Sequence, residues 1–211
     1  MILITFLMTC ISHSKERNMN IPDKPENIQP IAVGERIPPI SLRSINNALI
    51  DLNSAIAAKP TVLIFYRGGW CPYCNLQLSQ LQKIEPELIK LGFQIIAVSP
   101  DLPEKLKASI DKHHLSYRLL SDSEMTAAQA LGIAFHLDDA TVTKYKNEYK
   151  IDVEADSGHT HHLLPVPAVF IVGKDGLIYF SYVNPDYKVR LEGGVLLDAA
   201  RELLKKSGTK K

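Results

Sequence analysis

Phe65-Tyr66-Arg67-Gly68-Gly69-Trp70-Cys71-Pro72-Tyr73-Cys74-Asn75 joins two unlike stretches of chain. Before it, Thr61-Val62-Leu63-Ile64-Phe65-Tyr66 is an unbroken apolar run rich in β-branched residues, which predicts a buried strand. After it, Leu76-Gln77-Leu78-Ser79-Gln80-Leu81-Gln82-Lys83-Ile84 carries apolar residues at helical spacing. Two glycines supply the turn. Pro72 suits the first turn of a helix, where its missing N–H leaves no bond unmade. The sequence therefore sets two thiols, Cys71 and Cys74, where a strand hands over to a helix N-terminus. Free backbone N–H groups and the positive end of the helix dipole favour an anion there. A thiol of ordinary pKa about 8.5 falls to roughly 3.5–7.5 in such surroundings. The predicted chemistry is that of a reactive dithiol.

A structural zinc is the other use for Cys-x-x-Cys, but it needs four ligands, commonly two such pairs or one pair with two spaced histidines. The chain has three cysteines, and the third, Cys10, lies far upstream in a stretch without a motif. Cys10 is expected to be dispensable. His159, His161 and His162 form a histidine-rich loop, read here as loop and not as a metal site. No metal and no cofactor is expected.

Working outward, residues 37–42 and 48–52, split by Asn46-Asn47, predict a small hairpin at a sheet edge, with Asn53-Ser54 capping a short turn. The helix after the thiols presents Leu78, Leu81, Ile84, Leu88 and Leu91 on one face, and Pro86 inside it predicts a kink. A second buried strand is expected over 93–98, an amphipathic helix over 103–113 and a third strand over 117–120. Ser121-Asp122-Ser123-Glu124 reads as a cap before a short alanine-rich helix stopped by Gly132. Residues 137–162 read as polar and irregular, with one helix near 139–148. Residues 168–172 and 177–182 flank Gly173-Lys174-Asp175-Gly176, a strong hairpin signal, and a last helix is expected over 194–204. Tyr182 to Tyr187 with Arg190 form a polar and aromatic cluster after that hairpin, read as capping a helix, with lining of the active-site rim as the alternative. Strands alternating with helices, then a hairpin and a helix, predict an α/β fold with a mixed sheet.

The length of 211 residues suits one domain: a leader over 1–30, the domain over 31–204 and a basic tail over 205–211. A net charge of +1 argues against nucleic acid as a partner. No stretch has the length of a membrane span. The apolar start, residues 1–8, lacks a preceding basic residue, so a cytoplasmic protein is expected; a degenerate signal, and with it a periplasmic or lipid-anchored protein, is the alternative.

Trp70-Cys71-Pro72-Tyr73-Cys74 resembles the Trp-Cys-x-x-Cys of thioredoxin-fold proteins. The wider frame resembles the peroxiredoxins of the alkyl hydroperoxide reductase and thiol-specific antioxidant family. Phe65-Tyr66, Ala97-Val98-Ser99-Pro100-Asp101, Leu119-Leu120-Ser121-Asp122 and Phe170-Ile171-Val172-Gly173-Lys174-Asp175-Gly176 occur in that family's order, across roughly residues 31–204. The resemblance implies a thioredoxin-like fold of peroxiredoxin type: a central mixed β-sheet flanked by helices, with an N-terminal β-hairpin. Laid on the family's Pro-x-x-x-Thr-x-x-Cys, Cys74 takes the peroxide-attacking position, Cys71 the Thr position and Arg67 the Pro position. The family's later Arg falls at Val166-Pro167-Ala168, and Pro167 resembles the cis-proline that faces the redox pair in thioredoxins.

The resemblance implies a thiol peroxidase acting on hydrogen peroxide or organic hydroperoxides, with a Cys71–Cys74 disulfide recycled by a thioredoxin-like or low-molecular-weight thiol donor. Cys74 is expected to attack peroxide and Cys71 to resolve; Arg67, Trp70 and Pro167 support them. The alternative is a thiol–disulfide oxidoreductase acting on protein disulfides through Cys71, which Trp70 and Pro167 favour. A redox-sensing binding module is a third class without a partner signal.

Overall fold

The computed structural model describes residues 20–208. A seven-stranded mixed sheet crosses it in the order β2-β1-β5-β4-β3-β8-β9. At its centre, β3 (Thr61–Phe65) runs parallel to β4 (Gln94–Ser99), and β4 parallel to β5 (Arg118–Ser121). On the other side of β3 lies the antiparallel hairpin β8 (Ala168–Val172) and β9 (Ile178–Val183). The far edge is the hairpin β1 (Ser41–Ser44) and β2 (Leu49–Asp51), with Asn47 at positive φ in its turn as the Asn-Asn signal requires.

All five residues of β3 and all five of β8 are buried, so these strands have core on both faces and read as continuous apolar runs. The side chains still alternate. Leu63, Phe65, Ile96, Val98 and Phe170 pack with α1 (Leu52–Ala58) and α4 (Thr126–Ala130). Val62, Ile64, Tyr66, Ile95 and Ile171 pack on the opposite face with α2 (Pro72–Lys90), α3 (Pro103–His113) and α7 (Gly193–Gly208). This is the layered α/β arrangement expected from the sequence.

Several local details differ. Asp51, not Asn53 or Ser54, caps α1, accepting from the Ser54 N–H at 3.1 Å. Helix α2 runs on to Lys90 with Pro86 inside it, as the sequence places it. Asp122 gathers the start of α4 by accepting from the Ala127 and Ala128 N–H groups, both at 2.9 Å. The stretch 137–162 holds α5 (Asp139–Glu148), as expected, and also α6 (Val153–Ser157), each capped by an aspartate one residue ahead. A second, two-stranded sheet pairs β6 (Ala134–His136) with β7 (Leu163–Pro165). It carries a satellite core of Phe135, Leu137, Leu164 and Val166, against which Trp70 and Tyr145 pack. That satellite core brings the 134–166 segment up to the Cys-x-x-Cys loop.

Among the described residues no helix is long and apolar enough to cross a membrane. Cys10 lies outside the described residues.

Candidate active site

Strand β3 ends at Phe65, and the chain then turns through Arg67, Gly68 and Gly69 into α2. Gly68 sits at φ +146°, and a Cβ there would collide with the Trp70 indole. Gly69 is held at both ends: its N–H donates to Asp101 Oδ2 at 2.7 Å, and its carbonyl accepts from Asn75 Nδ2 at 2.8 Å. Cys71 is the N-cap of α2, Pro72 its first helical residue, and Cys74 lies one turn in. The sequence thus builds the predicted thiol pair at a helix N-terminus.

Both cysteines are free thiols and both are buried. The two sulfurs share a hydrogen bond, and this bond is the largest influence on Cys71. Together with the Cys74 backbone N–H and the charges of Arg67 and Arg190, it outweighs the cost of burial and holds Cys71 down to about 6. Cys74 is pushed the other way, first by its burial and then by the hydrogen bond and negative charge of Cys71. One proton is therefore shared by two sulfurs, and the anion rests on Cys71.

Two guanidinium groups flank the pair. Arg67 is not the solvated loop cation that its position suggests: it is only 4% exposed. Its guanidinium lies 4.2 Å from the centre of the Tyr187 ring, 5.0 Å from Trp70 and 5.7 Å from Tyr145. Its Nη2 donates to the Tyr145 hydroxyl at 2.6 Å. Such contacts hold a desolvated cation at about 2 kcal/mol or more apiece at best. Arg190 comes from beyond β9. Its Nη2 donates to Cys74 Sγ at 3.3 Å and its Nη1 to Gln77 Oε1 at 3.0 Å.

Arg190 and Tyr187 thus correct the sequence reading of their cluster as a helix cap. Tyr187 stacks edge-on with Tyr73 of α2, ring centres 5.7 Å apart, and covers Arg67. Val166-Pro167-Ala168 holds no arginine, and the arginine that bonds Cys74 comes from some twenty residues downstream. Its only sequence signal was an arginine among aromatics just after the hairpin.

Trp70 stands beside the pair, half-buried, its ring edge-on to Tyr145 at 5.9 Å. Pro167 precedes β8, whose first residue, Ala168, pairs with Phe65 at the end of β3. The expected cis bond is not found: among the described residues every peptide bond is trans, Val166–Pro167 included. The bond lies between β7, which ends at Pro165, and β8, which starts at Ala168 opposite Phe65. Pro167 lines a cavity that also includes Arg67.

The loop histidines are spent on local contacts. His161 bonds the Ser123 carbonyl at 2.8 Å, and His162 lies between Asp139 at 3.1 Å and Glu154 at 2.8 Å. Asp101, which sequence reading placed only in a motif, is buried beneath the active loop and is pushed up to about 7 by that burial, against the pull of the Gly69 N–H.

The family model described as the AhpC/TSA family matches residues 33–181. A putative peroxiredoxin bcp of Haemophilus influenzae is 31% identical over 106 residues, covering 50% of this chain and 68% of that protein. The prostamide/prostaglandin F synthase of Salmo salar is 27% identical over 165 residues, covering 72% of this chain and 80% of that protein. In fold, reduced Prx3 of Vibrio vulnificus in complex with hydrogen peroxide superposes with a TM-score of 0.66 at 18% identity, over 81% of this chain and 99% of that one. The peroxidoxin BcpB of Mycobacterium tuberculosis superposes with a TM-score of 0.64 at 17% identity, over 82% of this chain and 98% of that one.

Proposed function

On the premise that this chain belongs to the AhpC/TSA family, we propose that it is a thiol-dependent peroxidase, an oxidoreductase that works through Cys71 and Cys74. The observation that carries the proposal is the pair of buried free thiols at the start of α2, with Arg67 buried on the same loop and Arg190 bonded to Cys74.

The electrostatics favour Cys71 as attacker, where alignment with the family pattern had favoured Cys74. With Cys71 held down to about 6, the thiolate is the main form at pH 7. The Cys71 thiolate attacks the terminal oxygen of the hydroperoxide. An S–O bond forms, the O–O bond breaks, and the departing oxygen leaves as water or an alcohol once protonated. Cys71 is then a sulfenic acid. The Cys74 sulfur attacks it, a disulfide forms and water leaves. Three residues apart at a helix start, the two sulfurs meet without unfolding the domain. The guanidiniums supply positive charge where negative charge moves, fixed in place before the reaction begins. Arg190 acts from the Cys74 side and Arg67 from the Cys71 side.

Reduction of the disulfide needs an external dithiol or two thiols, and a thioredoxin-like donor suits a short-range Cys-x-x-Cys disulfide. A pair that must cycle through the dithiol suits a reducing compartment such as the cytoplasm. The oxidoreductase alternative loses the ground it had in a cis-proline facing Cys71, because the bond is trans. The test is stopped-flow oxidation of the reduced protein by hydrogen peroxide and by a bulky organic hydroperoxide, followed by mass measurement. Fast loss of two hydrogens per chain, dependent on Cys71, supports the reading; a protein inert to both peroxides but active on protein disulfides would sink it.

A further inference from the structure

A cavity of about 290 Å³ lies beside the redox loop, bounded by the segment 23–25, β6, and the turns at Pro167 and Pro185. Its walls are largely apolar and aromatic, with Phe135, Leu137, Val166, Pro167, Tyr145 and Tyr187, and His136 of β6 also lines it. Arg67 is the buried cation on that wall. Of the acidic residues at the cavity, Asp138 is engaged in capping α5 through the Thr141 N–H at 2.8 Å and hydroxyl at 2.7 Å. Asp23 is exposed at the mouth next to Lys24, also exposed.

Arg67 has five N–H donors, and one goes to a neutral phenol. Its other neighbours are ring faces. Among the described residues no carboxylate pairs with it. A cation taken out of water needs a compensating negative charge or it is strongly destabilised. In the dithiol protein the Cys71 thiolate, four residues along the same loop, supplies that charge. In the disulfide neither sulfur is charged, and among the described residues no carboxylate is in ion-pair contact with Arg67 on the cavity wall: Asp138 is turned to Thr141 and Asp23 is exposed.

We propose that this cavity is a binding site for an organic acid, occupied when Cys71 and Cys74 form their disulfide: a carboxylate on Arg67, with a small apolar body against Phe135, Leu137 and Val166. The inference rests on the redox-pair reading above. Binding is then reciprocal with redox state: whatever factor separates the affinities of the two forms, a saturating acid shifts the thiol–disulfide equilibrium by the same factor toward the disulfide.

The experiment is calorimetric titration of benzoate into the oxidised protein and into protein reduced with dithiothreitol, an uncharged reductant. Benzyl alcohol serves as the neutral isostere. Benzoate should bind the oxidised form at least tenfold more tightly than the reduced form, and benzyl alcohol should show no redox preference. Arg67→Gln should remove the benzoate preference. Should that variant fail to fold, the wild-type Cys71–Cys74 equilibrium against a dithiol buffer, with and without saturating benzoate, gives the same answer: it should move toward disulfide by the same factor. Equal benzoate affinity in both states, absence of binding to the oxidised form, or equal binding of benzyl alcohol overturns the inference. The two readings fail separately. If peroxide or diamide removes no pair of hydrogens from Cys71 and Cys74, both fall; if the disulfide forms and benzoate is indifferent to it, only the organic-acid site falls.

Discussion

Arg67 and Arg190 approach the same two sulfurs from opposite ends of the chain, and they are held in opposite ways. Arg67 belongs to the loop that makes the site. It is buried among three aromatic rings, and its polar contact goes to Tyr145. Arg190 arrives from beyond β9, is partly exposed, and is held by direct bonds to Cys74 and Gln77. One acts through its field on Cys71, the other by hydrogen bonding at Cys74. The difference teaches that a reactive thiol can be tuned by a charge that never touches it, provided that charge is kept dry.

The largest expected effect comes from the sulfurs themselves, because it decides which arginine stands over the attacking atom. Cys71→Ser should lower the second-order rate with hydrogen peroxide by about a thousandfold or more, with Cys74 protonated and buried. Cys74→Ser should still react and leave a sulfenic acid on Cys71 that a dimedone trap labels in the mass spectrum. Trapping at Cys74 in Cys71→Ser, at near wild-type rate, would reverse the roles and make Arg190 the arginine of the attack.

Next is Arg190→Lys, which keeps the charge but cannot bond Cys74 and Gln77 with one planar fork. Resolution should slow by roughly ten- to a hundredfold, the cost of about 1.4–2.8 kcal/mol in placement. Rapid quenching that shows sulfenic acid accumulating before the disulfide would confirm it; unchanged resolution would mean that the contact at Cys74 is structural.

Arg67→Lys tests the field in the aromatic cage. The Cys71 thiol should rise, since a mobile ammonium sits less well on the rings. In wild type, with Cys71 near 6, the alkylation rate by iodoacetamide should fall about tenfold between pH 7 and pH 5. In the variant that fall should begin at higher pH. Superposed profiles would show that Arg67 does not set the thiolate.

The smallest effect lies beneath both arginines, at Asp101. Its carboxyl is raised from 3.8 to about 7 in the fold, so the native state holds a proton that the unfolded chain releases. Its contribution to stability is greatest below pH 3.8 and is lost as pH rises through 7. Asp101→Asn keeps an acceptor for the Gly69 N–H and removes the ionisation. Its urea midpoint should change less between pH 5 and pH 8 than that of the wild type. Parallel slopes would remove Asp101 from the pH dependence.

The parts of the fold that sequence reading reached are those with local signals. The 61–66 run, the Pro72 helix start, the 103–113 helix and the Gly173–Gly176 hairpin each carry their own period or punctuation. Strands β6 and β7 have three residues each, too few to show alternation, and exist because they pair across a gap of some thirty residues. Helix α6 is five residues held by one aspartate cap. In the site, Cys71, Cys74, Arg67 and Trp70 were legible because one short loop contains them all. Arg190 was not, because what defines it is a contact at 3.3 Å with a residue 116 positions away. The cis isomer expected at Val166–Pro167 rested on a resemblance of three residues, and the bond is trans.

The burial of both sulfurs gives the two halves of the cycle different kinetic orders. In the dithiol form Cys71 is 1% exposed and Cys74 is fully enclosed, so a two-oxygen oxidant needs far less opening to reach a sulfur than another protein's thiol does. Oxidation should therefore stay first order in peroxide at any accessible concentration. Reduction by a protein donor must wait for the loop to breathe, and its rate levels off at the frequency of that motion however much donor is supplied. The same enclosure that keeps the thiolate dry makes the protein's own fluctuations the clock of its recycling.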